Sequence, residues 1–240
     1  KCATCGRCAE ACPYSAIINK RRPCEIACKV GAISTSAESK AAQIDNSKCI
    51  SCGACVYMCP WGAITDKSFI VDVVKMLKES ENNQKYKVYA VVAPSISSQF
   101  SYAKLGQVIA AIKKLGFHSV VEVALGADMV AYSEAAELAE KGFLTSSCCP
   151  AFVDYVEKNY PQFVDHISTA VSPMIATARA IKAKDKKARV VFVGPCTAKK
   201  VEMKREALKD AVDIVITFEE LQAIFDAREI DLVSLEPRMA

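Results

Sequence analysis

The chain has 240 residues, 52% hydrophobic and 24% charged, which suits one large globular domain or two smaller ones. A net charge of +4 is too small to mark a nucleic-acid surface, and the run from Lys182 to Arg189 reads as a solvated helix end. The longest apolar runs, residues 88–94 and 189–195, are strand-length and too short to span a bilayer, and no basic-then-apolar leader opens the sequence. The expected location is therefore cytoplasmic, with no nucleic acid and no membrane span, and thirteen cysteines in such a setting point to metal rather than disulfides.

Ten of those cysteines fall between residues 2 and 59, and the segment repeats internally. Cys12-Pro-Tyr-Ser-Ala-Ile17 is echoed by Cys28-Lys-Val-Gly-Ala-Ile33 and by Cys59-Pro-Trp-Gly-Ala-Ile64. Cys2, Cys5, Cys8 and Cys12 form C-x2-C-x2-C-x3-C-P, and Cys49, Cys52, Cys55 and Cys59 repeat it with identical spacing. Three cysteines at this pitch wrap a loop around three irons of a cubane, while the fourth, before proline, reaches across to the other cluster. Cys2, Cys5, Cys8 and Cys59 are therefore expected to hold one [4Fe–4S] cluster, and Cys49, Cys52, Cys55 and Cys12 a second. Zinc is a poor alternative, since its sites favour cysteine pairs separated by a longer span. Cys24 and Cys28 are left over, with the spacing of a decayed third half-motif. They read either as packed thiols or as part of a site completed from outside the chain. Residues 1–66 carry eight Lys and Arg against five Asp and Glu, an excess that two loaded clusters would roughly cancel.

Residues 67–78 have helical periodicity and lead into a polar linker, 79–85. From there strand-like runs at Lys87–Ala93, Ser119–Ala124, Arg189–Val193 and Val212–Ile216 alternate with helical stretches. The helices are expected at Lys104–Leu115, Met129–Lys141, Ala151–Lys158, Met174–Ala183 and Phe218–Ala227. The expected fold is an α+β ferredoxin-like 2[4Fe–4S] domain (1–66), a connecting helix and linker (67–85), and an α/β domain with a parallel sheet (86–240). In such sheets the loops at the carboxyl ends of strands carry the chemistry. That draws attention to Ala93-Pro94-Ser95, to Thr145-Ser-Ser-Cys148-Cys149-Pro150 and to Gly194-Pro195-Cys196-Thr-Ala-Lys199-Lys200. Adjacent cysteines serve as buried packing as often as ligands. A vicinal pair cannot easily chelate one metal with both sulfurs, so at most one of Cys148 and Cys149 is expected to ligate. Lys199 could supply a donor to anionic ligands. Glu134 and Glu137 lie three apart on one helix face, where carboxylates can pass protons or simply meet solvent.

These segments resemble the first two signatures of the [FeFe]-hydrogenase family, T-S-C-C-P and P-C-x-x-K-K-x-E, with Phe152-Val-Asp-Tyr, Asn159-Tyr-Pro161 and Glu202 extending them. The order of parts is similar to the clostridial-type monomeric branch with a fused two-cluster domain. The resemblance implies reversible reduction of protons to H2 at an H-cluster, a [4Fe–4S] cluster joined to a diiron unit with CO and CN⁻ ligands. It makes Cys149 and Cys196 two of the four H-cluster thiolates and Cys148 the proton-donating thiol. Glu134, Glu137 and Ser168 become a proton relay, with Lys141 where the better-known branch has arginine. Lys199 would bond a cyanide ligand, and Pro94 and Ser95 would line the cofactor pocket. The implied partners are a soluble electron carrier such as ferredoxin, H2 and protons as substrates, and maturation proteins.

Two departures stand out. Gly194 occupies a methionine position of the better-known branch, and Met174 a position often polar there; both would retune the surroundings of the cofactor. The family's third signature, which supplies the other two thiolates, has no counterpart after Cys196. The sequence is therefore expected to be a fragment, inactive alone, or one piece of a split enzyme whose remaining ligands come from further chain. An H2 or redox sensor and a non-catalytic hydrogenase-like iron–sulfur protein are the alternatives.

Overall fold

The computed structural model describes residues 7–17, 21–36, 38, 39 and 41–240, so Cys2 and Cys5 lie outside the described residues. Two compact units divide the chain, residues 1–66 and 67–240. The first holds short helices α1 (Arg7–Glu10), α2 (Pro23–Ala27) and α3 (Ala54–Tyr57) beside an antiparallel pair, β1 (Ile33–Thr35) and β2 (Ala42–Ile44). Pro23 starts α2 where no amide hydrogen is needed. The Glu25 carboxylate closes the helix start by accepting the Arg22 N–H at 3.1 Å, and it accepts the Thr35 hydroxyl at 2.8 Å, tying α2 to β1. Among the described residues only Cys24, Ala32 and Ile33 of this unit are buried. So small an apolar core is the situation in which small domains depend on metal or disulfide staples.

The second unit begins with α4 (Ile70–Glu79), the helix expected to connect the two parts, and buries Val73 completely. Then follow β3 (Val88–Val92), α5 (Ile96–Gln99), α6 (Leu105–Lys114), β4 (Ser119–Glu122), α7 (Ala124–Lys141) and α8 (Pro150–Asn159). After a 3₁₀ turn at Pro161–His166 come α9 (Pro173–Lys184), β5 (Arg189–Val193) and α10 (Ala198–Glu202). A second 3₁₀ turn, Glu206–Leu208, leads to β6 (Ile214–Ile216) and α11 (Phe218–Ala227). The four strands form one parallel sheet in the order β4-β3-β5-β6. Val88, Ala90, Val91, Val190, Val191, Val193, Val215 and Ile216 are fully buried, which is why these strands read as continuous apolar runs rather than alternating ones.

Several boundaries differ from the sequence expectation: α4 starts at Ile70 rather than at 67, and β4 ends at Glu122 rather than Ala124. Helix α7 starts at Ala124, directly after β4, five residues before the expected Met129. The last strand is shorter than expected, because Asp213 turns its carboxylate to Lys182 and Arg189, each at 2.7 Å. Helix ends are marked by local chemistry. Gly142 closes α7 at φ 74, a left-handed position that suits glycine. Thr217 and Glu220 form a reciprocal cap on α11. Glu220 also accepts the Phe69 N–H at 2.8 Å and pairs with Lys200 at 2.6 Å, while Lys200 donates to the Lys67 carbonyl. This buried pair has its remaining polar atoms satisfied and fastens the start of the second unit to α10 and α11.

Helices α7 and α9 pack closely through Gly126, where an added Cβ would collide with Thr177 Oγ1 and stand 2.5 Å from the Pro173 carbonyl oxygen. Gly126→Ala is therefore expected to destabilise the second unit by about 1–3 kcal/mol through overpacking. Denaturant unfolding measures it, and an unchanged midpoint would contradict this contact.

Candidate functional site

Strand order places the site. The chain adds β4 on one side of β3 and then returns to lay β5 and β6 on the other, so the order reverses between β3 and β5. At such a switch point a crevice opens at the carboxyl ends of the two strands, and ligands bind there. Ala93-Pro94-Ser95 leaves β3 and Gly194-Pro195-Cys196 leaves β5 at this edge, joined by a hydrogen bond from Ala93 N to the Val193 carbonyl at 2.9 Å. Gly194 is dictated by crowding: a Cβ there would lie 2.6 Å from the Phe192 ring and 3.2 Å from Ala93 Cβ. The aromatic ring of Phe192 thus fills space that a larger residue at 194 would need.

Helix α10 follows Cys196 and packs on α8, which begins at Pro150 just after Cys149. Lys199 spans the two segments. Its ammonium donates to the Cys148 carbonyl at 2.9 Å and to Glu202 at 2.7 Å, with both side chains buried. A buried lysine pairs strongly with one carboxylate and still has a donor to spare. The structure therefore brings Cys148, Cys149, Cys196, Lys199 and Glu202 into one neighbourhood at the sheet edge.

The groups expected to carry protons fall in two sets that meet at Ala170, which accepts the Ser147 hydroxyl and donates its N–H to Ser168 Oγ. Glu134 accepts the Ser146 hydroxyl at 2.9 Å and the Ser147 N–H at 3.3 Å, and Ser146 Oγ in turn accepts the Cys148 N–H at 3.4 Å. Glu137 accepts the Ser168 hydroxyl at 2.9 Å, the Thr169 N–H at 3.1 Å and the Lys141 ammonium at 2.8 Å. Lys141 holds the Glu137 pKa at about 2, with the Thr169 amide and Ser168 hydroxyl adding to the effect and burial opposing it. Loops 145–148 and 166–170 are laced by Thr145 N to the His166 carbonyl and Ser168 N to the Thr145 carbonyl, at 2.7 and 2.8 Å. Ser168 thus bonds Glu137, while Glu134 turns toward the Cys148 loop. Ser146, Ser147 and Thr169 are members of these sets that sequence reasoning did not single out. The prior signal for Ser146 and Ser147 was a run of hydroxyl residues beside the cysteine pair, and for Thr169 only its place after Ser168.

In the first unit Cys12, Cys49 and Cys59 sit in loops whose amides face sulfur, while Cys8, Cys24 and Cys55 lie on α1, α2 and α3. Trp61, Ile64 and Ala63 amides lower the Cys59 pKa, and Ala16 and Tyr14 amides lower that of Cys12, whereas burial raises that of Cys55. Cys59 Sγ accepts the Ala63 N–H at 3.3 Å and Cys49 Sγ the Ser51 N–H at 3.4 Å. Thiols with backbone amides aimed at them are the donor set that iron–sulfur clusters take, so these residues fit a [4Fe–4S] group. Among the described residues no three Cys, His, Asp or Glu side chains gather tightly enough to hold one metal ion. A cubane asks for a different arrangement, since each thiolate binds its own iron. Among the described residues no helix is long and apolar enough to cross a membrane.

Residues 86–240 match the family described as "Iron only hydrogenase large subunit, C-terminal domain", and residues 42–65 match a 4Fe-4S binding domain. Iron hydrogenase 1 of Clostridium pasteurianum is 32% identical over 263 residues, covering 98% of this chain and 44% of that protein. The cytosolic Fe-S cluster assembly factor NAR1 of Kluyveromyces lactis is 36% identical over 94 residues, 39% of this chain and 20% of that protein. The solved structure of apo [FeFe]-hydrogenase HydA1 from Chlamydomonas reinhardtii aligns with a TM-score of 0.64 at 26% identity, over 72% of this chain and 50% of that one. The chain thus spans less than half the length of these curated relatives.

The depressed Glu137 pKa sets a pH dependence. With a folded value of about 2 against an ordinary 4.5, its ties stabilise the fold fully above pH 4.5 and are lost as pH falls toward 2. Glu137→Gln should therefore cost stability at neutral pH and converge on the parent in acid. Unfolding curves at several pH values decide it, and a difference that grows on acidification would contradict the assignment.

Proposed function

The chain belongs to the iron-only hydrogenase family, whose cofactors are [4Fe–4S] clusters and the H-cluster, and from this we propose that the complete protein interconverts protons and H2. The observation that carries the proposal is the meeting of the Cys148–Cys149 loop with the Cys196 segment at the switch-point crevice, bound together by Lys199. When bound, the clusters supply the electrons and the metal centre at which the chemistry occurs. The chain's residues supply positions, charge and protons.

In this reading Cys149 and Cys196 provide two H-cluster thiolates, and the others come from the remainder of the complete protein. The first unit is a ferredoxin-like module. Cys2, Cys5, Cys8 and Cys59 hold one of its clusters, and Cys49, Cys52, Cys55 and Cys12 the other. Lys199, anchored to Glu202 and the Cys148 carbonyl, presents fixed positive charge to anionic ligands, while Pro94 and Ser95 line the β3 side of the crevice. Cys148 is exposed and takes the role of proton-donating thiol, backed by Ser146 and Glu134. The Glu137–Ser168 set continues the path outward. Because Lys141 keeps Glu137 ionised at neutral pH, that carboxylate serves better as an anchor for Ser168 than as a store of protons. Electron delivery by a soluble carrier such as ferredoxin belongs to the same proposal.

A second reading is favoured by the match to NAR1: an iron–sulfur protein of the same fold that handles clusters without turning over H2. Turnover separates the two. The complete protein, matured anaerobically and given a low-potential donor, is expected to evolve H2, with Cys148→Ala slowing it by roughly 10²–10⁴-fold through loss of the proton donor. Absence of H2 evolution from the matured protein would overturn the enzyme reading, and an unimpaired Cys148→Ala would remove only the role of that thiol.

A further inference from the structure

The first unit has one more ligand loop than two clusters use. Cys28-Lys-Val-Gly-Ala32 is built like the loops that follow Cys12 and Cys59. The carbonyls of Cys12, Cys28 and Cys59 accept the N–H three residues on, from Ser15, Gly31 and Gly62, at 3.2, 3.2 and 3.3 Å. The three donating residues share positive φ, 51°, 61° and 59°. Cys28 Sγ accepts the Ala32 N–H at 3.1 Å, matching the 3.3 Å bond from Ala63 N to Cys59 Sγ.

Position supports the same conclusion. Cys28 directly follows α2, and α2 packs against α3, the helix that carries Cys55. One turn earlier on α2, buried Cys24 lines a cavity of about 740 Å³ together with Cys59, Pro60 and Trp61. Cys24 and Cys59 thus share the cavity wall, and Cys28 at the end of α2 adjoins the helix that carries Cys55.

We propose that Cys28 is an iron–sulfur ligand, competent to supply the fourth thiolate to the [4Fe–4S] cluster of Cys49, Cys52 and Cys55 in place of Cys12. On exchange Cys28 gives its thiol proton to solvent and forms an Sγ–Fe bond while the Cys12 Sγ–Fe bond breaks and the freed Cys12 thiolate takes up a proton, with no change in the electron count of the cluster. The inference rests on the two-cluster reading of this unit. Its consequence is a cluster with a choice of fourth ligand, so that oxidation or loss of Cys12 does not release it. Cys24 plays no ligand part, because nothing about its place on α2 reproduces the loop.

Reconstitution of the chain with ferrous iron and sulfide under anaerobic conditions tests this, with iron and acid-labile sulfide counted per chain. Cys12→Ala should keep the parent's iron, and Cys12→Ala/Cys24→Ala should do the same. Cys12→Ala/Cys28→Ala should lose about four irons, one cluster's worth. A Cys12→Ala chain already short of one cluster overturns the inference, as does a double Cys12→Ala/Cys28→Ala variant that keeps both. A parent chain that takes up no cluster sinks the two-cluster reading and the inference together, whereas a loaded parent with a depleted Cys12→Ala sinks the inference alone. Should the double variant fail to fold, alkylation of Cys12→Ala supplies the answer. Cys28 should resist iodoacetamide in the loaded protein and react after the iron is stripped; equal reaction in both states contradicts ligation.

Discussion

Pairing of β3 with β5 is the constraint on which the second unit depends. The two strands run in register from Val88 opposite Arg189 to Val92 opposite Val193, and they are adjacent although a hundred residues separate them in the chain. This pairing buries both faces of the sheet and brings two distant loops to one edge. There the Phe192 ring, with Ala93 across from it, leaves residue 194 no room for a side chain beyond hydrogen. Everything proposed for the site follows from that edge: Cys196 emerges there, Lys199 follows on the short helix α10, and its ammonium reaches back to the Cys148 carbonyl.

The two units present thiols by different physical means. In the first, whose described residues include few buried apolar side chains, backbone amides point at the sulfurs and glycine or serine adopts positive φ beside them. In the second, a packed α/β scaffold holds the cysteines at helix starts and strand ends, and buried ion pairs do the fastening. Lys199 with Glu202 secures the cysteine loop, while Lys200 with Glu220 secures the chain entering the unit. Two consecutive lysines thus serve opposite directions from one short helix.

Much of this was legible in the sequence because the governing patterns are local. The strands of the parallel sheet announce themselves as apolar runs, and β3 and β5 fall within one residue of their expected limits. Helix α8 follows from Pro150, and α11 from the Thr217–Glu220 cap. Three things were not legible. Strand order, and with it the switch point, is a long-range property that no window of sequence contains. The early start of α7 was not legible, because the close approach to α9 that Gly126 permits is a tertiary contact. The division of the carboxylates was hidden as well, since helical spacing puts Glu134 and Glu137 on one face but cannot say that Ser146 claims one and Lys141 the other. Cys28 lies between these cases: its repeat is visible in the sequence, and its amide contact only in three dimensions.

We propose that the Cys148–Cys149 and Cys196 segments form part of an H-cluster site rather than an ordinary iron–sulfur site. Infrared spectroscopy of the complete protein after anaerobic maturation distinguishes the two. Absorption bands from iron-bound CO and CN⁻ ligands are expected. A matured protein that carries its [4Fe–4S] clusters and shows none of those bands would contradict it.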